Sequence, residues 1–421
     1  MTFLSLAFKS LRNRKFATSL TILSIALSTA LLLSVERTKR AAEEGFTQAV
    51  SQTDLIIGAR SGPVNLILFT VFNMGSPTAN VSWQTYQKWK SNPAVEWTIP
   101  YSLGDGHRGF RVVGTDENFY QHYRFRGDRS VEFSEGHAAL DLWEVVLGSE
   151  VAAKLQYKIG DPVVVAHGVT REVGIQKHDD KPFHVSGILK PTGTALDNSL
   201  YVSLQSIEAM HLDWHDGAAP SDDKHIHQSE IHKEDIKVDE ITSFFMQTKS
   251  RIEILRLQRE INTDKTEPLL AIIPGMTLAE IWRGLGYVDQ ALKAISWMVV
   301  AVGLMAMLIA LLTGLNERRR EIAILRSIGA GPKKITALLV LESTTLTLIG
   351  VSLGLLIELS GFYFLKGWLE NNFGLYLVGA VFTSTDGLYL ALTLMLGILI
   401  GLIPAWRASR LALKDGLSVR I

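Results

Sequence analysis

The sequence predicts an α-helical membrane protein: four transmembrane helices, with a large α+β domain between the first and the second. Three observations carry this. The stretches 16–35, 295–315, 335–364 and 387–403 are apolar and long enough to cross hydrocarbon, because some 20 helical residues rising about 1.5 Å each span a core of roughly 30 Å. Lysine and arginine crowd the segments 1–15, 316–334 and 404–421, all on one side of the membrane if the four stretches cross it. Between 36 and 294 the long apolar blocks give way to short β-rich runs broken by Gly, Pro, Asn and Asp.

The N-terminal segment 1–15 carries Lys9, Arg12, Arg14 and Lys15 and no acid, which holds it inside the cell ahead of the first span, 16–35. A secretory leader starts the same way, but its apolar core is shorter and a small-x-small cleavage site follows it, which is not found here. From Glu36 to about Gln52 the composition suits a helical stalk. Strand-like runs follow, among them LIIG, VEWTIPYSL, FRVVGTD, VVLGSE, PVVVAHG, HVSGIL and SLYVSL. Helices are expected over Trp83–Lys90, Ser149–Leu155, Ser203–His211 and 250–261, and a further one over 276–293 leads back to the second span, 295–315.

The connection 316–334, NERRREIAILRSIGAGPKK, holds six basic residues and lies inside. Ile322, Leu325 and Ile328 recur every third residue, giving a short amphipathic helix that Gly329, Gly331 and Pro332 end. Such a helix at the inner surface is a docking element for a soluble partner or for membrane lipid. The third span, 335–364, leads to an outer loop, 365–386, with Lys366 its one basic residue. The fourth span, 387–403, ends at Pro404, and the tail 404–421 is basic, so both termini lie inside. Gly350 with Gly354, and Gly397 with Gly401, set small residues four apart, a spacing that permits close helix approach.

Formal charge is zero, from 42 basic and 42 acidic residues in 421, so no bulk field draws nucleic acid. The absence of cysteine excludes disulfides, thiolate metal sites and cysteine nucleophiles. No G-x-x-x-x-G-K-[ST] run is present to cradle phosphates.

Two groups of residues carry chemical interest. Glu342 and Glu358 fall inside the third span, where a charge costs about 2.5–3.5 kcal/mol unless it faces protein or water. One reading makes them a proton or cation relay; the plainer one gives Glu342 a hydrogen bond in a dimer core and lets Glu358 snorkel to the outer interface. The tract 211–232 holds His211, His215, His225, His227 and His232 among many acids. Imidazole and carboxylate suit Zn²⁺; His211 and His215 share a face if that segment is helical, and His225 and His227 share one if it is extended. The spacing matches no fixed zinc motif, and a solvated insertion loop is the competing reading.

ERRREIAILRSIGA, PAWRASRLA (404–412), VVLGSEVAAKLQYKIGDPVVV and HVSGILKPTGTALDNSLYVSLQSIEAM resemble the MacB/FtsX/LolC-type permease subunits of ABC transporters. The resemblance covers nearly the whole chain and the four-span kind. It implies a non-catalytic inner-membrane subunit working as a dimer, with the outer segment 36–294 a stalk and periplasmic core domain. It makes Glu317, Arg318, Arg319, Glu321, Ile322, Leu325 and Ile328 the coupling helix that sits on a cytoplasmic ATP-binding subunit, itself a dimer holding ATP and Mg²⁺. A periplasmic protein or lipoprotein is the implied outer partner. Export of lipoprotein or small molecules, or a zinc-linked task, is one expectation, and FtsX-like switching of a periplasmic enzyme without transport is the other.

Overall fold

A computed structural model describes residues 15–168, 180–213, 226–284, 286–317, 319–327, 329–373 and 382–414. By backbone contacts the chain divides into two units: 1–41 with 286–369 and 377–421, and 42–285 with 370–376. In order the helices are α1 (Lys15–Thr47), α2 (Pro63–Val71), α3 (Trp83–Lys90), α4 (Glu117–His122), α5 (Ser149–Leu155) and α6 (Leu204–His211). They continue as α7 (Arg251–Asn262), α8 (Pro274–Gly284), α9 (Gly286–Glu317), α10 (Arg319–Ser327), α11 (Pro332–Phe373) and α12 (Ser384–Lys414). Four of them, α1, α9, α11 and α12, are long and apolar enough to cross a membrane.

In the unit built on 42–285, nine strands form the main path of one mixed sheet: β1 (Leu55–Ala59), β2 (Val95–His107), β3 (Phe110–Thr115), β4 (Phe133–Gly136), β5 (Glu144–Leu147), β6 (Phe183–Leu189), β7 (Ser199–Ser203), β8 (Ser243–Thr248) and β9 (Leu269–Ile272). Their order is β9-β1-β8-β2-β3-β7-β5-β6-β4, with Pro162–Val163 added beside β6 and Ala166–His167 beside β2. Only β3–β7 and β5–β6 pair in parallel on that path. Both faces of the sheet are covered, and the two-residue period of a strand divides the side chains between them. Ile56, Val113, Tyr201 and Phe245 enter a core with Leu66, Phe69, Phe119 and Leu278 from α2, α4 and α8. Leu55, Ile57, Phe244 and Met246 turn the other way, to meet Tyr86, Trp89, Leu257 and Ile261 of α3 and α7. Val112, Leu200 and Val202 do the same against Val151 and Met210 of α5 and α6.

The helices start where side chains satisfy free backbone amides. Ser82 Oγ accepts from Thr85 N at 3.3 Å, Asp116 Oδ1 from Asn118 N at 3.1 Å, and Ser203 Oγ from Ser206 N at 3.1 Å. Helix α2 stands outside the expected set. Its sequence, PVNLILFTV, is nearly all apolar, so it lacks the one-sided stripe by which a helix is recognised; five of its nine residues are buried. The run PVVVAHG does not form one strand but two short pieces, each paired to a different neighbour.

The other unit packs its four long helices through small residues. A Cβ at Gly350 would lie 2.7 Å from Ile25 Cβ, and one at Gly354 2.6 Å from the Ala26 carbonyl oxygen, so α11 runs in near contact with α1. Cβ atoms at Gly397 and Gly401 would strike Thr347 and Ser343, bringing α12 equally close to α11. Ser28 Oγ sits against Gly303 and donates to the Val299 carbonyl at 3.1 Å, linking α1 to α9. Two expected boundaries move. Helix α11 runs on through Lys366 to Phe373, so Lys366 is helical rather than in a loop, and 374–381 lie outside the described residues. Helix α12 passes through Pro404 to Lys414 instead of ending there, since a proline removes one amide donor but leaves the rest of the ladder intact.

Two outcomes are expected. Gly354→Leu forces α11 off α1 and should lower stability by about 1–3 kcal/mol, the usual range for overpacking, read as a lower thermal midpoint of the full chain in detergent; an unchanged midpoint would show that the contact is not tight. In the sheet unit, burial pushes the Asp116 carboxyl up to about 6, and burial beside Asp239 pushes Glu208 up to about 7. Both bind their proton more tightly folded than unfolded, so they favour the fold at low pH and this contribution is lost as pH rises through those values. Thermal midpoints measured from about pH 4 to about pH 7.5 should therefore carry a falling component that Asp116→Asn with Glu208→Gln removes; the same slope in the double variant would assign it elsewhere.

Candidate coupling site

Helix α10 connects α9 to α11 within a few residues on either side. Its C-terminus closes by the Schellman pattern: Gly329 N donates to Arg326 O at 3.0 Å and Ala330 N to Leu325 O at 2.9 Å, with Gly329 at φ +94°. A side chain at 329 would be strained there, which is why the turn falls on a glycine. Pro332 then opens α11, where its missing N–H is no loss.

The apolar residues of α10 do not all face one way. Ile322 packs against Leu315 of α9, Ile335 and Leu339 of α11, and Ala405 and Ala408 of α12. It pins the short helix to the ends of three long ones. Leu325 is half-buried beside it, whereas Ile324, about 200° around the helix from Ile322, is 59 % exposed. Ala323 and Ser327 are exposed on that outward side too. The stripe at every third residue includes Ile322, which anchors the helix, and passes over Ile324. The sign that would have found it is an isoleucine standing off the stripe of a charged helix. Of the other expected coupling residues, Arg318 and Ile328 lie outside the described residues, as do the side chains of Glu317, Arg319 and Glu321.

Glu342 and Glu358 both lie inside the unit. Glu342, 3 % exposed, borders a cavity of about 30 Å³ with Thr18, Thr21, Gly314 and Leu346, so its carboxyl is enclosed by helices of its own chain. Glu358 does not snorkel outward. It is 4 % exposed and takes the Arg37 Nε at 2.9 Å, which offers a buried carboxylate a better partner than a distant interface.

Of the five clustered histidines, His211, His227 and His232 fall among the described residues, where no group of three or more metal-ligating side chains is found. Helix α6 ends at His211; His211 Nδ1 lies 2.9 Å from the Ile207 carbonyl and Nε2 3.7 Å from Asp105. His227 and His232 have extended backbone and each precedes a short 3₁₀ turn. His215 and His225 lie outside the described residues. What the tract does show is an ion pair not foreseen from the sequence: Lys181 and Asp213, both buried, hold 180–182 to the end of α6, and Asp213 Oδ2 also accepts from Ile226 N at 3.1 Å. Burial works to raise the Asp213 carboxyl, but the Lys181 ammonium and the Ile226 amide outweigh it and leave it below the usual carboxylate range. His107 is buried; its Nδ1 lies 2.5 Å from the Val164 carbonyl and its Nε2 3.0 Å from the Tyr157 hydroxyl.

Comparison with known proteins matches two families. A family model described as the MacB-like periplasmic core domain fits residues 18–262, and one described as the FtsX-like permease C-terminal fits 293–416. No curated protein sequence matches. Among solved structures, the extracellular domain of the noncanonic ABC-type transporter YknZ from Gram-positive bacteria is similar at 12 % identity, covering 52 % of this chain and 98 % of that one, with a TM-score of 0.31. The periplasmic region of MacB from Actinobacillus actinomycetemcomitans is similar at 9 % identity, covering 55 % and 94 %, with a TM-score of 0.34. Likeness at that level adds no argument, and the assignment stands on the two family matches. With a MacB-like core domain inserted between the first two of four long apolar helices and an FtsX-like segment over the last three, the chain belongs to the MacB/FtsX-type permease subunits of ABC transporters.

Proposed function

We propose that this permease subunit lies in the inner membrane with both termini in the cytoplasm, and that α10 couples it to a separate ATP-binding subunit. The observation that carries the reading is the two-sided build of α10. Ile322 seats it on α9, α11 and α12, while Ile324 with Ala323 and Ser327 is presented outward. A push on the outward face is thereby delivered to three long helices at once. An exposed isoleucine in a small polar surround suits a shallow apolar contact on a partner protein.

ATP and Mg²⁺ belong to the partner, since the 421 residues carry no phosphate-cradling loop. The orientation follows the basic residues near α10 and the far end of α12: Lys333, Lys334 and Arg407 are exposed there. Two permease copies act on two ATP-binding copies, and closure of the ATP-binding pair moves the periplasmic core domain through α1 and α9, which lead into it. The domain in turn acts on a periplasmic protein or lipoprotein.

The two sides of α10 separate by mutation. Ile324→Asp should abolish co-purification of the ATP-binding subunit while the stability of the permease alone, followed by its thermal midpoint, stays within about 0.5 kcal/mol of the parent, as surface substitutions do. Ile322→Asp places a charge among Leu315, Ile335 and Leu339 and should lower that midpoint as well. Full assembly and ATP turnover with Ile324→Asp would reject α10 as the coupling element.

A further inference from the structure

At the end of the four-helix unit opposite α10, α1 carries Arg37, Lys39 and Arg40 within a single turn. Successive helical residues advance by about 100°, so Lys39 and Arg40 leave the axis about 200° and 300° around from Arg37. One turn of α1 therefore addresses three neighbours. Arg37 Nε meets Glu358 Oε1 of α11 at 2.9 Å, and its guanidinium lies 4.9 Å from the centre of the Phe362 ring. Lys39 Nζ meets Asp289 Oδ1 of α9 at 2.6 Å, where Lys293 reaches the other carboxylate oxygen at 3.0 Å. Arg40 Nη2 meets Asp386 Oδ1 of α12 at 2.5 Å and its Nη1 donates to Thr383 Oγ1 at 2.6 Å. The Glu358 and Asp386 side chains are each 2 % exposed.

Removing paired charges from water offsets most of what their attraction returns, so buried ion pairs are poor general stabilisers. Their use lies in selecting one arrangement, because any other register strands a charge. Glycine contacts between α1 and α11 resist separation but leave rotation and sliding of α1 less constrained. Three pairs in three directions stop both.

We propose that Arg37, Lys39 and Arg40, with Glu358, Asp289 and Asp386, form an ionic collar that locks the rotation and height of α1 to the other three helices. The collar makes α1 carry motion into the domain that begins at residue 42 instead of turning idly within the bundle. It rests on the coupling reading above, and its residues are positioning residues that touch neither nucleotide nor cargo.

The chain has no cysteine, so labels on it attach only where cysteines are introduced, and mixing labelled with unlabelled permease keeps the measured pair within one copy. Spin labels at Ile252→Cys and Tyr287→Cys, both at exposed positions, are placed in the full permease assembled with its ATP-binding subunit in lipid nanodiscs. The label-to-label distance and ATP hydrolysis are then read with and without a non-hydrolysable nucleotide. Replacing two pairs with apolar residues, Arg37→Met with Glu358→Leu and Arg40→Met with Asp386→Leu, leaves no unpaired charge at those positions. The expected result is assembly and ATP turnover within twofold of the parent, with the nucleotide-dependent distance change cut by more than half. The reversed pair, Arg40→Asp with Asp386→Arg, should restore most of the change for that link. An undiminished distance change in the apolar variant overturns the collar. So does failure of that variant to assemble, which would make the pairs a folding requirement. No nucleotide-dependent change in the parent complex would instead overturn the coupling reading, and the collar with it.

Discussion

A helix surrounded by hydrocarbon gains little by burying leucine against leucine, since lipid tails are equally apolar; what holds such helices together is close contact of their backbones. The four-helix unit of this permease depends on that constraint. Gly350 and Gly354 let α11 touch α1, Gly397 and Gly401 let α12 touch α11, and Gly303 receives Ser28. With the helices that near, the carboxylates of Glu342 and Glu358 are enclosed by protein rather than exposed to lipid, and the basic turn of α1 can reach its three partners. Wider spacing would leave those charges in hydrocarbon.

The same packing explains why α10 is a defined surface and not a loose connection. The ends of α9, α11 and α12 converge on a small apolar cluster of Leu315, Ile335, Leu339, Ala405 and Ala408, into which Ile322 fits. The Schellman turn at Gly329 then reverses the chain without stranding the last carbonyls of α10. A short charged helix would be marginal on its own, so its order is borrowed from the bundle.

Sheet and membrane unit solve the problem of backbone polarity differently. The long helices satisfy their amides internally, as hydrocarbon demands. The sheet satisfies its own through strand pairing, and lets alternate residues such as Leu55, Ile56 and Ile57 feed cores on opposite faces. Its irregular stretches are tied by polar side chains: Asp197 accepts from the amides of Thr192 and Gly193, and Lys181 with Asp213 secures the segment ends beside α6.

The sequence by itself determined the architecture: four spans, the β-rich insertion between the first two, helices over 83–90 and 149–155, and the amphipathic turn at 316–334. These are properties of local pattern, because length of apolar run, residue period and capping chemistry act within a few residues. Tertiary structure alone decided what each charged or apolar side chain faces. It turned Ile322 inward and Ile324 outward, enclosed Glu342 within its own chain, and gave Glu358 to Arg37 and His107 to the core. Those outcomes depend on which helices and strands come to lie beside one another, and partners separated by hundreds of residues, such as Arg37 and Glu358, leave no periodic trace in the chain.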